Sequence, residues 1–374
     1  MKEILIKLRN TILGFIYKFL IKPVFFIQDP EKVHDKITMF GTLLSLNYFT
    51  RKITGLLFRY SNTMLEQEIL GIKFKNPLGL SAGFDKDANL TQITPEAGFG
   101  FEEVGSITGE KCEGNPKPRL WRLKKSKALA VYYGLKNEGA EKISEKLKDK
   151  KFRIPIFTSI AKTNCKETVS IQAGIKDYIK AYFLMKDIGD ISVINISCPN
   201  VYGGQPFNNK KNLNLLIKEI KAVKTKKPIF IKISPDLSRK QIDDIINICF
   251  RYKISGVTCS NLTKNRNNRK IIDKEIPKVG GISGKPVEAL SNELIKYVYK
   301  KSKAKLIIIG VGGIFSAEDA YKKIRLGASL VQLVTGMIYN GPQTISEINQ
   351  GLAELLKKDG FENISDTIGI DNKF

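Results

Sequence analysis

The fold is decided by an apolar run that turns abruptly polar, Asn76-Pro77-Leu78-Gly79-Leu80-Ser81-Ala82-Gly83-Phe84-Asp85-Lys86. Its apolar half has the length of a buried strand, and the glycine and charged residues after it mark the strand's end. The pattern recurs along the chain, because short β-branched runs alternate with helical stretches from Asn76 onward. Such alternation is typical of repeated βαβ units and a parallel sheet.

Eight strands are predicted in this way, at 76–82, 100–106, 154–160, 191–197, 228–234, 255–260, 305–310 and 330–335. The predicted helices are 87–97, 136–149, 170–188, 211–223, 238–252, 286–301, 316–326 and 343–358. Eight repeats in roughly 290 residues fit the length of a closed barrel better than a doubly wound open sheet, the alternative. We therefore predict an α/β fold, with a (β/α)₈ TIM barrel over residues 66–374 and a separate helical segment over residues 1–65.

The N-terminal segment is apolar but carries charges. Residues 4–27 are interrupted by Lys7, Arg9, Lys18 and Lys22, and Pro23 is expected to break the helix. This is too charged for a membrane span, which needs about 20 nearly uninterrupted apolar residues. We expect a helix lying in the headgroup layer, and a second helix from Asp35 through Phe58 that completes a membrane-docking hairpin. The alternative is that both helices only cap the barrel.

Composition narrows the possible partners. The chain has 374 residues, with 62 Lys+Arg against 37 Asp+Glu, a net charge of +25 that suits nucleic acid, an anionic membrane or acidic ligands. No nucleic-acid-binding motif accompanies the charge, so no nucleic-acid partner is expected. The cysteines, Cys112, Cys165, Cys198, Cys249 and Cys259, lack the spacing of a metal site and indicate a reduced protein on the cytoplasmic face. The one histidine, His34, precedes the predicted barrel, so proton transfer inside it must use other residue types.

Polar residues collect at the carboxyl ends of the predicted strands, where barrel enzymes keep their chemistry. They include Lys86, Ser106, Asn195, Asn200, Lys232, Ser260, Asn261 and Thr335. Two glycine-rich turns, Gly280-Gly281-Ile282-Ser283-Gly284 and Gly310-Val311-Gly312-Gly313, lie before the predicted helix at 286–301 and after the predicted seventh strand. Backbone N–H groups in such turns cradle phosphate, so a phosphate-bearing cofactor is predicted at this rim.

Six blocks of residues carry a resemblance to a known family. They are residues 76–86, Pro118-Arg119-Leu120-Trp121-Arg122-Leu123, Asn195-Ile196-Ser197-Cys198-Pro199-Asn200, Lys232-Ile233-Ser234-Pro235-Asp236-Leu237, Gly280-Gly281-Ile282-Ser283-Gly284-Lys285-Pro286 and Gly310-Val311-Gly312-Gly313-Ile314. From about His34 to its end the chain resembles the dihydroorotate dehydrogenases, flavin mononucleotide (FMN) enzymes of pyrimidine synthesis. The N-terminal helices, with Asp29-Pro30-Glu31-Lys32-Val33-His34, resemble the membrane-bound, quinone-reducing class.

The resemblance implies that a base takes a proton from C5 of dihydroorotate, a hydride passes from C6 to flavin N5, and a quinone reoxidises the flavin. It implies Cys198, Lys86 and Lys232 as catalytic residues and His34 and Arg122 at the quinone entrance. The implied substrate residues are Lys86, Asn195, Asn200 and Asn261. The implied flavin residues are Ala82, Gly83, Lys86, Ser106, Ser159, Asn195, Lys232, Ser260, Gly281, Gly284, Gly312, Gly313 and Thr335.

Several positions depart from the family pattern. Cys198 stands where the quinone-linked class usually has Ser, and its thiol is a better base than a hydroxyl if positive charges depress its pKa. Val131 replaces an amide that touches substrate, Leu262 replaces a substrate-contacting Thr, and Val334 replaces a frequent Tyr. Ser159 replaces a flavin-contacting Asn.

These departures leave other hypotheses open. One is a flavin enzyme acting on a different cyclic amide or dihydropyrimidine, and another is a flavin-free lyase that uses Lys86 or Lys232 as a Schiff-base nucleophile. A third is a catalytically silent, membrane-bound scaffold. A soluble acceptor such as fumarate also stays open, because Cys198 is typical of the soluble class.

Overall fold

The computed structural model describes residues 1–372, apart from the side chain of Lys2, and its centre is a closed barrel of eight parallel strands. In chain order the strands are β1 Gln67–Ile69, β2 Ile72–Phe74, β3 Leu78–Leu80, β4 Phe101–Ile107, β5 Leu120–Leu123, β6 Ala128–Val131, β7 Ile156–Ile160, β8 Ile191–Asn195, β9 Ile229–Ile233, β10 Gly256–Cys259, β11 Gly281–Ile282, β12 Ile307–Val311 and β13 Leu330–Leu333. The barrel runs β3-β4-β7-β8-β9-β10-β12-β13 and closes on itself. The predicted TIM barrel is confirmed, and each of its strands ends within two residues of the predicted bounds.

Twelve α-helices surround the barrel or precede it within the described chain. They are α1 Lys2–Ile16, α2 Lys22–Ile27, α3 Pro30–Leu46, α4 Tyr48–Phe58, α5 Ala140–Leu147, α6 Ile171–Met185, α7 Lys210–Ala222, α8 Arg239–Arg251, α9 Glu288–Lys301, α10 Ala317–Arg325, α11 Thr335–Asn340 and α12 Thr344–Asp359. Their starts follow from capping side chains. At α8, for example, Ser238 and Gln241 form a reciprocal capping box.

Aromatic rings close the amino end of the barrel. Phe101 and Phe157 point into it with ring centroids 4.8 Å apart, and Phe74, from the β1–β2 hairpin, packs edge-on below Phe101 at 5.7 Å. Gly79 makes room for this layer, since a β-carbon there would lie 2.3 Å from the Phe101 ring. Because this end is filled with apolar side chains, the polar side chains meet at the carboxyl end.

The helix predicted at 87–97 is absent, and that prediction was wrong. Asp85 instead accepts the backbone N–H groups of Asn89 and Leu90 at 2.8 and 2.7 Å, which closes a turn that competes with helix formation. Helix α3 covers the place a first barrel helix would occupy. Gly41 of α3 approaches so closely that a β-carbon there would lie 2.7 Å from Leu90 Cδ2.

The predicted N-terminal hairpin differs in where its helices break. Pro23 does not end the first helix, which runs through a π-helical turn, Tyr17–Ile21, directly into α2. The proline occupies the second position of α2, where a missing N–H is tolerated. The second predicted helix is instead divided at Asn47, whose side chain accepts the Phe49 N–H at 2.7 Å and starts α4.

The first helix lies along the barrel but exposes most of its apolar side chains. Arg9 donates to Ser346 Oγ at 2.6 Å and Tyr17 to the Ile338 carbonyl at 2.7 Å. The helix Glu3–Ile27 is long and apolar enough to cross a membrane, with mean hydropathy 1.4 and 11% of its most apolar window buried. Composition alone therefore does not exclude a span, contrary to the sequence-based expectation.

A three-stranded antiparallel sheet that the sequence did not predict roofs the barrel mouth. It has the order β11-β6-β5, with Gly281 opposite Val131. A buried ion pair fastens α3 to this sheet, because Arg119 Nη2 lies 2.8 Å from Glu31 Oε1 and both side chains are 5% exposed. The sheet and α3 thereby enclose a space above the strand ends.

Candidate active site

The barrel mouth holds a cavity of about 1320 Å³, including the part open to solvent, lined by both polar and apolar side chains. Most residues that the sequence predicted for the site line it. They are His34, Ala82, Gly83, Lys86, Ser106, Asn195, Cys198, Asn200, Lys232, Ser260, Asn261, Gly284, Gly312, Gly313 and Thr335. The strand ends, α3 and the roofing sheet thus bring residues together from positions 34 to 335.

Three predicted site residues do not line the cavity. Ser159 is fully buried, and its Oγ lies 2.8 Å from Ser106 Oγ. Gly281 sits beneath Leu262, where a β-carbon would lie 2.6 Å from Leu262 Cβ. Arg122 points toward α2, donating to the Gln28 carbonyl at 2.8 Å. Ser159 and Gly281 support the cavity from behind, Arg122 contacts α2 outside it, and none of the three lines it.

A hydrogen-bonded layer of amides and hydroxyls forms one wall. Asn195 Nδ2 donates to Ser106 Oγ at 2.8 Å, and its Oδ1 accepts from Asn261 Nδ2 at 3.3 Å. Asn261 Nδ2 also donates to Ser197 Oγ at 3.0 Å, and that hydroxyl donates to the Lys232 carbonyl at 2.8 Å. The strand ends thus present amide groups in fixed orientations, which suits recognition of a ring bearing amides and carbonyls.

An ion pair that the sequence analysis missed lies inside the barrel under this wall. Lys232 Nζ is 3.4 Å from Glu103 Oε1 and 3.3 Å from Ser81 Oγ, and Glu103 is fully buried. The second carboxylate oxygen of Glu103 accepts from Gln332 Nε2 at 2.8 Å. The sequence does contain a signal for Glu103. It follows Phe101 by two residues on the same strand, so its side chain points into the barrel as that of Phe101 does.

Lys86 lines the cavity and is held between the rings of Tyr133 and His34. Its Nζ lies 4.0 Å from the Tyr133 ring centroid and 3.4 Å from His34 Nε2. Burial lowers the pKa of Lys86 to about 8 against the opposing effect of Asp35. Burial and the Lys86 charge also lower the pKa of His34, and its Nε2, 2.8 Å from the Phe84 carbonyl, carries the proton. His34 is therefore neutral at pH 7 and does not compete for the Lys86 proton.

Cys198 lies in the loop after β8 and lines the cavity. Burial raises the pKa of its thiol to about 11, and Lys264 and Lys162 lower it by less. The condition named from the sequence, that positive charge depresses this pKa, is not met, because burial outweighs the two lysines. A base at this position is mostly protonated at neutral pH.

The departures from the family pattern cluster in the same cavity. Val131, Leu262 and Val334 all line it. Asn200 Nδ2 donates to the Val131 carbonyl at 2.8 Å, so the backbone at this position orients an amide although its side chain cannot. Tyr133, which the sequence analysis did not select, supplies the ring that contacts Lys86.

The glycine turns form a cradle that fits a phosphate-bearing, planar group. Gly83 has φ +98°, and a β-carbon there would meet no atom within 4 Å, so it would project into empty cavity space. The N–H groups of Gly284, Gly312 and Gly313 donate to no acceptor within residues 1–372. Gln332 Oε1, also at the cavity, is buried without a partner. Unsatisfied buried polar groups beside open space indicate a bound ligand.

Within residues 1–372, no group of three or more His, Cys, Asp or Glu side chains could hold a metal ion.

The sequence model of the family described as Dihydroorotate dehydrogenase matches residues 64–356. The chain belongs to the dihydroorotate dehydrogenase family. The predicted resemblance is therefore confirmed.

Curated relatives named dihydroorotate dehydrogenase (quinone) cover nearly the whole chain. The relative from Trichodesmium erythraeum is 37% identical over 380 residues, covering 96% of this chain and 99% of its own length. The relative from Christiangramia forsetii is 41% identical over 349 residues, covering 91% of this chain and 99% of its own length. These relatives place the chain with the quinone-dependent dihydroorotate dehydrogenases and favour the oxidoreductase over the lyase and scaffold hypotheses.

Solved structures of a dihydroorotate dehydrogenase from Eimeria tenella have the same fold. Its complex with ferulenol superposes with a TM-score of 0.84 at 28% identity and covers 92% of this chain and 96% of that one. The ligand-free form superposes with a TM-score of 0.81 at 29% identity and covers 92% of this chain and 100% of that one. The similarity therefore extends beyond the barrel core into the N-terminal helices.

Proposed function

We propose that this protein oxidises dihydroorotate to orotate in pyrimidine biosynthesis and passes the electrons to a membrane quinone. The observation that carries the proposal is one cavity that combines a wall of amides and lysines with an apolar wall leading toward α2 and α3. The polar wall suits a pyrimidine carboxylate, and the apolar wall suits a quinone.

The direct test is turnover in detergent. Purified protein supplied with L-dihydroorotate and a quinone analogue is expected to form orotate in proportion to the quinone reduced. Orotate formation that ignores the quinone but requires fumarate would contradict the quinone assignment. Turnover of another dihydropyrimidine in preference to dihydroorotate would favour the alternative substrate suggested by Val131 and Leu262.

FMN is the cofactor that we propose for the glycine cradle. When bound, it supplies the two-electron chemistry that links substrate oxidation to quinone reduction. The N–H groups of Gly284, Gly312 and Gly313 would hold its phosphate. Ala82, Gly83, Ser106, Asn195, Ser260 and Thr335 would contact the rest, with Lys232 beside the ring edge that gains negative charge on reduction. Ser159 and Gly281 would act from behind the wall.

The substrate would lie between Lys86 and the amide wall. The Lys86 ammonium group would bind the carboxylate of dihydroorotate, an interaction strengthened by its burial. Asn195, Asn200 and Asn261 would match the ring amides and carbonyls. Because Asn200 Nδ2 already donates to the Val131 carbonyl, its Oδ1 is oriented to accept from a ring N–H. Cys198 would take the proton from C5.

The pH dependence of the dihydroorotate half-reaction should reveal the ionisation of two groups, Cys198 and Lys86. The reduction rate at saturating substrate should rise about tenfold per pH unit from pH 7 toward 10. The reason is that the thiolate fraction of Cys198, whose pKa is about 11, rises tenfold per pH unit over this range. The KM for dihydroorotate should increase above about pH 8, because Lys86 loses its charge there. Anaerobic stopped-flow measurement from pH 6 to 10 checks both. A rate independent of pH over this range would count against Cys198 as the base.

The quinone would approach along apolar side chains between the cavity and α2. Leu120, Leu129, Val131 and Ile338 line the cavity, and they pack in one apolar cluster with Phe26 of α2. His34 lies at the α3 side of the cavity. Arg122, whose guanidinium lies 4.8 Å from the Phe26 ring centroid, would flank the entrance.

Leu120→Trp is expected to fill part of this route. We expect the KM for quinone to rise about tenfold or more, because a ring replaces space that the quinone needs, while reduction by dihydroorotate changes less than about twofold. Separate measurement of the two half-reactions checks this. Leu215→Trp, at an exposed position of α7, is the matched control. Equal effects of Leu120→Trp on both half-reactions would contradict a separate quinone route.

Residues 1–65 would dock the protein peripherally on the cytoplasmic face of the membrane that holds the quinone. Their outward apolar side chains include Ile12, Phe15, Phe19, Leu20, Val24, Ile27, Met39, Phe40, Leu43, Leu46, Phe49 and Leu56. A surface this apolar, rimmed by lysines, is typical of an interfacial helix pair. The barrel, residues 66–374, would then carry the chemistry above the lipid surface.

A further inference from the structure

A second surface, strongly basic, lies beside the N-terminal helices. We define the basic loop surface as Lys124, Lys125, Lys127, Arg269, Lys270 and Lys274, all exposed. We propose that it binds anionic lipid headgroups, so that the protein docks preferentially on a negatively charged bilayer. This inference rests on the proposed use of a membrane quinone and adds the lipid class that the membrane must contain.

The loop that carries half of this surface has a strong charge imbalance. Residues 264–279 contain six basic and two acidic residues. One of these acids, Asp273, uses its carboxylate in hydrogen bonds to the chain. It accepts from the backbone N–H groups of Lys125 and Ser126 at 3.1 and 2.8 Å and from the Ser126 hydroxyl. The six cations of the surface form no ion pair within residues 1–372. The fold therefore uses Asp273, which also attracts Lys125, to build the turn, and the surface keeps a net positive charge.

The loop is anchored, so its charges have a defined place. Ile271 and Ile276 pack with Trp121 of β5 on the roofing sheet. The Ile272 N–H donates to Ser126 Oγ at 2.9 Å, which ties the loop to the turn at 124–127. Ile272 itself points outward and is 61% exposed.

The basic loop surface is continuous with the apolar helices. Burial, together with the charges of Lys127 and Lys18, lowers the pKa of Lys22 in α2, so Lys127 lies within electrostatic reach of this helix. On the neighbouring strand, Arg122 donates to the Gln28 carbonyl just after α2. Ile27, at the end of α2, is 83% exposed. Exposed apolar residues and unpaired cations therefore share one side of the molecule.

This combination fits a bilayer better than a nucleic acid. Apolar side chains such as Ile27 and Ile272 insert between lipid headgroups, whereas they find no partner along a phosphate backbone. Each Lys or Arg near an anionic membrane surface strengthens binding several-fold, and the effect vanishes within a Debye length. Apolar insertion and basic attraction together provide the two signals that stable peripheral docking requires.

Vesicle flotation with the full-length protein tests the proposal. Binding to vesicles of equal parts phosphatidylcholine and phosphatidylglycerol should be about 10⁴-fold tighter than to pure phosphatidylcholine at low salt, because each of the six cations strengthens binding about fivefold, and high salt should remove most of the difference. The triple variant Lys125→Gln, Lys270→Gln, Lys274→Gln should bind the anionic vesicles about 100-fold more weakly and the neutral ones as before.

The matched control is Lys218→Gln, Lys221→Gln, Lys224→Gln, which removes the same charge at α7 and the turn after it. It should leave anionic binding within about threefold of the unsubstituted protein. Equal losses in the two triple variants, or equal binding of anionic and neutral vesicles, would overturn the proposal. Dihydroorotate turnover in detergent should be unchanged in both variants. A failure of that turnover in the unsubstituted protein would instead count against the proposed function.

Discussion

Cys198→Ala is expected to slow the reduction step with dihydroorotate about 10²–10⁴-fold, the usual loss when a positioned base is removed. The other titratable groups at the cavity would be engaged elsewhere, because His34 Nε2 donates to the Phe84 carbonyl at 2.8 Å and Lys86 would bind the substrate carboxylate, and the nearby amides do not titrate. Cofactor content and orotate affinity should remain within about threefold, since the side chain only lines the cavity. Anaerobic stopped-flow reduction at saturating dihydroorotate is the measurement.

Cys165→Ala is the matched control, because Cys165 is also a free thiol on a loop near the barrel rim but does not line the cavity. It should leave the reduction rate within about twofold. A Cys198→Ala protein that is reduced as fast as the unsubstituted one would assign proton removal to another group.

Glu103→Leu is expected to lower the free energy of unfolding by about 3–5 kcal/mol. The substitution leaves the buried Lys232 ammonium group without its countercharge and takes the acceptor from Gln332 Nε2. Leaving one buried charge without its partner lowers the free energy of unfolding far more than removing both charges of the pair does. Denaturant unfolding of the cofactor-free protein measures the change without interference from bound ligand.

The double variant Glu103→Leu, Lys232→Met should recover most of that stability, because it removes both charges and keeps similar volume. Asp243→Asn, which breaks an exposed pair with Lys301 at 3.0 Å, should cost less than about 1 kcal/mol. Equal costs for Glu103→Leu and Asp243→Asn would show that Lys232 is not held by a buried charge. The double variant should still lose cofactor affinity if Lys232 contacts the flavin.

The barrel was predictable because its strands are fully buried and therefore read as short apolar runs between clear turn residues. The site residues followed from the same reading, since chemistry in this fold sits where strands end. Helix α5 was predicted at the right place but starts only at Ala140, because Asn137 Oδ1 binds the Gly139 N–H at 2.8 Å and holds the preceding chain in a turn.

The missed features depend on contacts between distant parts of the chain. The roofing sheet pairs β6 with β11, more than 140 residues later, and β11 has two residues, too few for a pattern. The absence of a helix at 87–97 depends on α3 occupying its place, which no local propensity reports. Tyr133 was overlooked because its role arises only when Lys86 lies against its ring.

The central claim is that one cavity couples dihydroorotate to a quinone through bound FMN. It is tested most directly by adding L-dihydroorotate without oxygen to the purified protein while following the flavin absorbance band. The account predicts a yellow protein whose band bleaches on addition of dihydroorotate and returns on addition of a ubiquinone or menaquinone analogue. A yellow protein that stays oxidised would contradict the substrate assignment, and a colourless protein that cannot take up FMN would contradict the flavoenzyme itself.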